Sequence, residues 1–161
     1  MTEGTNEKKY IGAIIVFIIT YVLFSLAGVL FPIDREWYDA LQKPDWTPSG
    51  SVIGIIWAVL FALISLSAAL IYAKFSCKES KAFWVMLLIN YIVNQGFSYF
   101  QFTQKNLLAA SIDCLLVAVT TLILLLIAGK YSKASAWLLV PYLLWSAFAT
   151  YLSFTIYTMN A

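Results

Sequence analysis

Trp37-Tyr38-Asp39-Ala40-Leu41-Gln42-Lys43-Pro44-Asp45-Trp46-Thr47-Pro48 separates two long apolar runs, Ile11–Phe31 and Ser51–Ala73. Paired tryptophans and prolines stiffen this stretch, and Asp34, Arg35, Glu36, Asp39, Lys43 and Asp45 keep the whole connector Pro32–Gly50 polar. That composition describes a shaped lid, and a lid implies something beneath it. Asp34 suits the N-cap of a short helix over about residues 34–41, which Pro44 prevents from continuing.

Working outward, the chain is 62% hydrophobic and only 11% charged, against about 25% charged in a soluble domain. Five stretches reach the length of about 20 apolar residues that a helix needs to cross a bilayer. They are Ile11–Phe31, Ser51–Ala73, Ala82–Phe102, Leu107–Ala128 and Ala134–Tyr157, and Asp113 is the one charge inside any of them. The expected fold is all-α: residues 1–161 as a single five-transmembrane-helix bundle with a short helix in the first connector. Short connectors after the second, third and fourth spans predict antiparallel neighbours.

The first span also has the outline of a signal peptide, with Lys8 and Lys9 before the apolar run and Ser25-Leu26-Ala27 after it. The run continues to Phe31, too long for such a core, so a retained span is expected. Cys77 lies in a connector and Cys114 in a span, toward opposite faces, and no disulfide is expected.

Lysines 8, 9, 74, 78, 81, 130 and 133 gather at one end of the bundle, against Arg35, Lys43 and Lys105 at the other. The positive-inside rule then places the N-terminus in the cytoplasm, with lid and C-terminus outside. An integral protein of a bacterial cell membrane is expected, with the bilayer as partner and no nucleic acid.

This orientation concentrates polarity beneath the lid. Asn90, Asn94, Ser98 and Gln101 form one stripe on the third span. Amides facing lipid are costly, so the stripe faces either a cavity or neighbouring helices. Trp57 and Phe61, one turn apart, present flat surfaces to a planar guest or pack together. Trp84 and Trp137, near span starts, read as interfacial belt residues. Asp113 is a secondary candidate, as an intramembrane charge or an interfacial one.

The pattern Trp37-Tyr38-x-x-Leu41-x-Lys43-Pro44-x-Trp46-x-Pro48, followed by Trp57-x-x-Leu60-Phe61, resembles the signature of the TspO/MBR family. These are tryptophan-rich sensory proteins, a group that includes the mitochondrial translocator protein or peripheral-type benzodiazepine receptor. Pro141-Tyr142-x-x-Trp145-x-x-Phe148-Ala149-x-x-Leu152 and Asn160 agree with it. The resemblance implies a bundle of five helices, commonly a homodimer, with a pocket beneath the first connector. That pocket would bind porphyrins such as protoporphyrin IX, and benzodiazepine-type ligands. By similarity its lining would be Tyr38, Pro48, Ile53, Trp57, Phe61, Asn94, Gln95, Phe97, Ser98, Cys114, Trp145, Ala149 and Leu152.

Three functions follow from that resemblance: a tetrapyrrole receptor or sensor, a light- and oxygen-dependent protoporphyrin-degrading enzyme, or a facilitative porphyrin transporter. In the second, Trp57 and Trp145 would be the catalytic residues. No cofactor or metal is required, with porphyrin as ligand or substrate. The count of histidines is zero, so the usual His ligation of haem iron is excluded. Val93, Ser153 and Ser49 depart from the family's usual Trp, Asn and Pro. No basic residue follows Tyr157, which disfavours cholesterol. Lid residues such as Arg35 and Lys43, or the indole N–H groups, would meet a ligand's carboxylates. Gly50, Gly54, Ala58 and Ala62 form a small-residue ridge suited to dimerisation or to packing within the bundle.

Overall fold

All five apolar stretches are helical in the computed structural model, which describes residues 2–161, with side chains from Glu7 onward. Helix α1 is Thr2–Ser25, α2 Ala27–Leu30, α3 Arg35–Ala40, α4 Gly50–Lys74, α5 Lys81–Ser98, α6 Leu107–Tyr131 and α7 Lys133–Asn160. A π-helical turn, Tyr99–Thr103, extends α5, and no strand occurs among the described residues. The protein is an all-helical integral membrane protein.

Among the described residues, four segments are long and apolar enough to cross a membrane: Glu7–Leu30, Gly50–Lys74, Leu107–Tyr131 and Lys133–Asn160. The expected third span is not among them. Its α-helical part has 18 residues, and Asn90, Asn94 and Gln95 interrupt its apolar run. The first span is present as expected, as Glu7–Leu30, with a local irregularity in its helix at Leu26. There the Gln95 side chain on α5 donates to the Phe24 carbonyl at 3.3 Å, a side-chain intrusion of the kind that interrupts helices.

Helix starts are set by side-chain caps. Asp34 accepts from the Trp37 N–H at 3.1 Å, and Asn106 from the Ala109 N–H at 3.0 Å. Ser49 and Ser132 cap α4 and α7 in the same way. The short helix expected near residues 34–41 is α3.

Around the bundle, α1 packs on α4, α4 on α7, α7 on α6 and α6 on α5, while α5 meets α1 only sparsely. Helices α4 and α5 are therefore not the neighbours that their short connector predicts. The apolar core, including Ile64, Ala68, Ile71, Phe83, Leu124, Ala128 and Leu139, fills the half of the bundle away from the lid. Above it lies a buried polar layer. Asn90 donates to Thr120 and Thr121 at 2.9 and 3.1 Å. Its carbonyl accepts from the Tyr142 hydroxyl at 3.0 Å, and that hydroxyl accepts from Asn94 at 3.2 Å. With its amides satisfied, this layer is a rigid floor, and the lid half of the bundle above it is hollow.

Candidate functional site

The lid is fixed from three sides. Asn160, at the end of α7, accepts from the Gln42 N–H at 3.0 Å and donates to the Gln42 carbonyl at 2.8 Å. Lys105, from the turn between α5 and α6, lies 2.8 Å from the Asp34 carboxylate and 5.5 Å from the centre of the Trp37 ring. Trp46 stacks on Tyr151 of α7, with centroids 5.4 Å apart and planes 11° from parallel. The Lys105 and Trp37 hydrogen bonds hold the Asp34 carboxyl below its ordinary range, in that order of size. Burial pushes the Tyr38 phenol up, with a smaller contribution from Asp39.

Lys43 does not face a ligand. Its ammonium donates to the carbonyls of Tyr38, Asp39 and Leu41 at 2.5, 3.2 and 3.3 Å, closing the end of α3. Of the two expected carboxylate partners in the lid, Arg35 alone lines the cavity mouth.

Beneath the lid lies a cavity of about 480 Å³, within the roughly 300–1,000 Å³ of small-molecule sites. Trp57 and Phe61 enter from α4 and Trp145 from α7, and Tyr38, Ile53, Asn94, Phe97, Ser98, Cys114, Ala149 and Leu152 complete the expected wall. Pro48 and Gln95 are not on it. Pro48 lies in the lid's outer leg, just before the Ser49 cap. Gln95 follows Asn94 and so points about 100° further round the helix, where it reaches Phe24. The polar stripe divides in two: Asn90 belongs to the floor, Asn94 to floor and wall, and Ser98 and Gln101 to the wall.

Phe24 and Phe31, at the break in the first span, also line the cavity. Sequence reading missed them, and the one hint was Ala27-Gly28, whose small side chains interrupt the bulky apolar run. Three of the four residues of the small-residue ridge border the cavity, and Ala62 does not. Gly50, Gly54 and Ala58 line the cavity, and Cβ atoms added at Gly50 or Gly54 would meet nothing within 4 Å. Their smallness leaves room for a guest.

Two polar atoms in the wall are buried without a hydrogen-bond partner in the protein: the Trp145 indole N–H and the Gln101 carbonyl oxygen. Such groups are normally paired. Trp57 packs against Phe61 and the edge of Tyr142, with centroids 5.6 and 6.1 Å away. Trp84 and Trp137 are elsewhere: Trp84 donates to the Ser80 hydroxyl at 2.9 Å, and Trp137 is exposed. Asp113 lies off the cavity, against Gly96 between α5 and α6. Among the described residues, no group of three or more His, Cys, Asp or Glu side chains is placed to hold a metal ion.

The family model of the TspO/MBR family matches residues 13–159. A Bacillus subtilis (strain 168) protein, "Uncharacterized membrane protein YtaB", is 71% identical over 153 residues, which are 95% of this chain and 99% of that one. The Bacillus cereus "Tryptophan-rich protein TspO" is 64% identical over 148 residues, covering 92% of this chain and 96% of its own length. A "Tryptophan-rich sensory protein" from Cereibacter sphaeroides is 30% identical over 143 residues, 84% of either chain.

Proposed function

The chain belongs to the TspO/MBR family, and from that premise we propose that it is a membrane receptor and sensor for a tetrapyrrole such as protoporphyrin IX. The porphyrin occupies the cavity beneath the lid, and all five long helices cross the bilayer, α5 with its amides turned inward. One observation carries this reading: Trp57 and Trp145, on the adjacent helices α4 and α7, line one cavity in which an indole N–H lacks a partner. A flat, largely apolar macrocycle suits those walls. Its propionates reach the mouth, where Arg35 provides charge-assisted hydrogen bonds.

Titration of the detergent-purified protein with protoporphyrin IX tests the proposal, read by quenching of tryptophan fluorescence and by a shift of the porphyrin absorption band. Saturable one-site binding, competed by a benzodiazepine-type ligand, is expected. Linear, non-saturating uptake equal to that of empty micelles overturns it.

A second reading, oxidative breakdown of the bound porphyrin under light by dioxygen, is favoured by the two oxidisable indoles in the same wall. Light-dependent loss of porphyrin absorption that exceeds the loss in empty micelles supports it. For the oligomer we propose a homodimer, checked by mass measurement in mild detergent.

A further inference from the structure

On the far side of α5 from the main cavity, a second and shallower crevice of about 400 Å³ opens outward between α5 and α6. Phe31, Gln95, Gly96, Tyr99, Phe100 and Asp113 are in its wall. We propose that this crevice binds the primary ammonium headgroup of a membrane lipid, with Asp113 and Gln95 as its acceptors.

The polar atoms of the crevice are mismatched within the protein. Asp113 is 7% exposed, and its Oδ2 has no hydrogen-bond partner. The Gln95 Oε1 is buried and unpartnered as well. No Lys or Arg among the described residues lies within ion-pair distance of Asp113. Two acceptors without a donor, one of them a carboxylate, call for a cation that carries N–H groups. A primary ammonium has three. A hydroxyl brings one donor and no charge, and a trimethylammonium brings charge and no donor.

The backbone is shaped around this pair. A Cβ on residue 96 would stand 2.8 Å from the Asp113 Oδ1, so glycine is what admits the carboxylate against α5. The π-helical turn begins at Tyr99 and Phe100, and such turns often occur at functional sites. It sets two rings on the crevice rim. The Tyr99 hydroxyl is anchored by Gln104 at 2.7 Å, and Phe31 meets the Tyr99 ring edge-on with centroids 5.6 Å apart. Aromatic faces around a carboxylate suit a cation.

The surroundings point to a lipid as the source. Asp113 lies six residues into α6, about 9 Å along it at 1.5 Å per residue, near the lid end. Exposed Ile92 and Ile112 flank the crevice on α5 and α6, an apolar surface for acyl chains below a bound headgroup.

Native mass spectrometry tests this on the full chain, with phosphatidylethanolamine, phosphatidylcholine and phosphatidylglycerol of identical acyl chains. Wild type should retain phosphatidylethanolamine about tenfold more than either other lipid, the effect of one charge-assisted hydrogen bond. Asp113→Asn, which keeps the shape and removes the charge, should abolish that preference while leaving the thermal midpoint and protoporphyrin titration unchanged. Equal retention of phosphatidylglycerol would assign the site to a hydroxyl and overturn the proposal. So would an Asp113→Asn protein that keeps the preference, or a second copy of the chain covering the crevice and excluding all three lipids alike. The wild-type comparison needs no variant, so a poorly folding mutant leaves the proposal falsifiable.

Discussion

Trp145 and Trp57 share a cavity but differ in what each offers a guest. Trp57 is held between Phe61 and Tyr142 and presents a ring face. Trp145 packs on Phe148 at 5.2 Å and adds an unpaired buried N–H. Trp57→Phe keeps an aromatic wall and should weaken protoporphyrin binding by about 1 kcal/mol. Trp145→Phe also deletes a donor, adding about another 1 kcal/mol, so its dissociation constant should rise severalfold more in the same fluorescence titration. If the two variants lost equal affinity, the indole N–H would have no part in binding. Gly54 gives the opposite test. A Cβ there meets open space, so Gly54→Leu should obstruct the cavity and lower affinity at least tenfold. It should not lower the thermal midpoint, because a mid-helix glycine is itself about 1 kcal/mol less favourable than alanine. Much at this scale was legible in the sequence, since Trp57, Phe61, Asn94 and Trp145 are unusual residues at that depth. The roles of Gly54 and Lys43 were not: one depends on what a neighbouring helix leaves empty, the other on which carbonyls α3 leaves unpaired.

At the scale of the element, the lid is a short helix suspended from contacts distant in sequence. Asp34 and Pro44 made α3 legible, because a cap and a breaker act locally. The irregularity at Leu26 was not legible, because it answers to a tertiary neighbour, Gln95 reaching Phe24, and no local signal in the sequence marks the π-helical turn at Tyr99–Thr103. The paired bonds between Asn160 and Gln42 hold the lid to the end of α7. Asn160→Ala removes both, and should raise the dissociation rate of bound porphyrin about fivefold, measured by stopped-flow displacement, with a smaller change in association rate. The Asp34–Lys105 pair adds a pH dependence of known sign. The carboxyl lies below its ordinary value of 3.8 in the folded protein. Its contribution is therefore fully present above that value and is lost as pH falls through the depressed folded value. Dissociation rates should be unaffected by Asp34 from pH 5 to 8 and should rise only in acid. A step near neutrality that Asp34→Asn abolishes would contradict this assignment.

The whole molecule is built unequally along its axis, with a filled apolar half under the lysines and a hollow half under the lid. Lys74, Lys78, Lys81, Lys130 and Lys133 lie at the filled end, and Arg35, Lys43 and Lys105 at the hollow one. If lysines mark the cytoplasmic face, the cavity opens away from the cytoplasm, and the native cysteines report it directly. Cys77 is exposed in the connector between α4 and α5 at the lysine end, and Cys114 is buried in the cavity wall. Thiolate chemistry needs access, so a membrane-impermeant maleimide should label one cysteine per folded chain and not two. In intact cells Cys77 should stay unlabelled, and permeabilisation should expose it. Cys77→Ser should remove all labelling of the folded protein, and denaturation should then reveal Cys114. Labelling of Cys77 in intact cells would invert the orientation, placing the lid and its cavity on the cytoplasmic side.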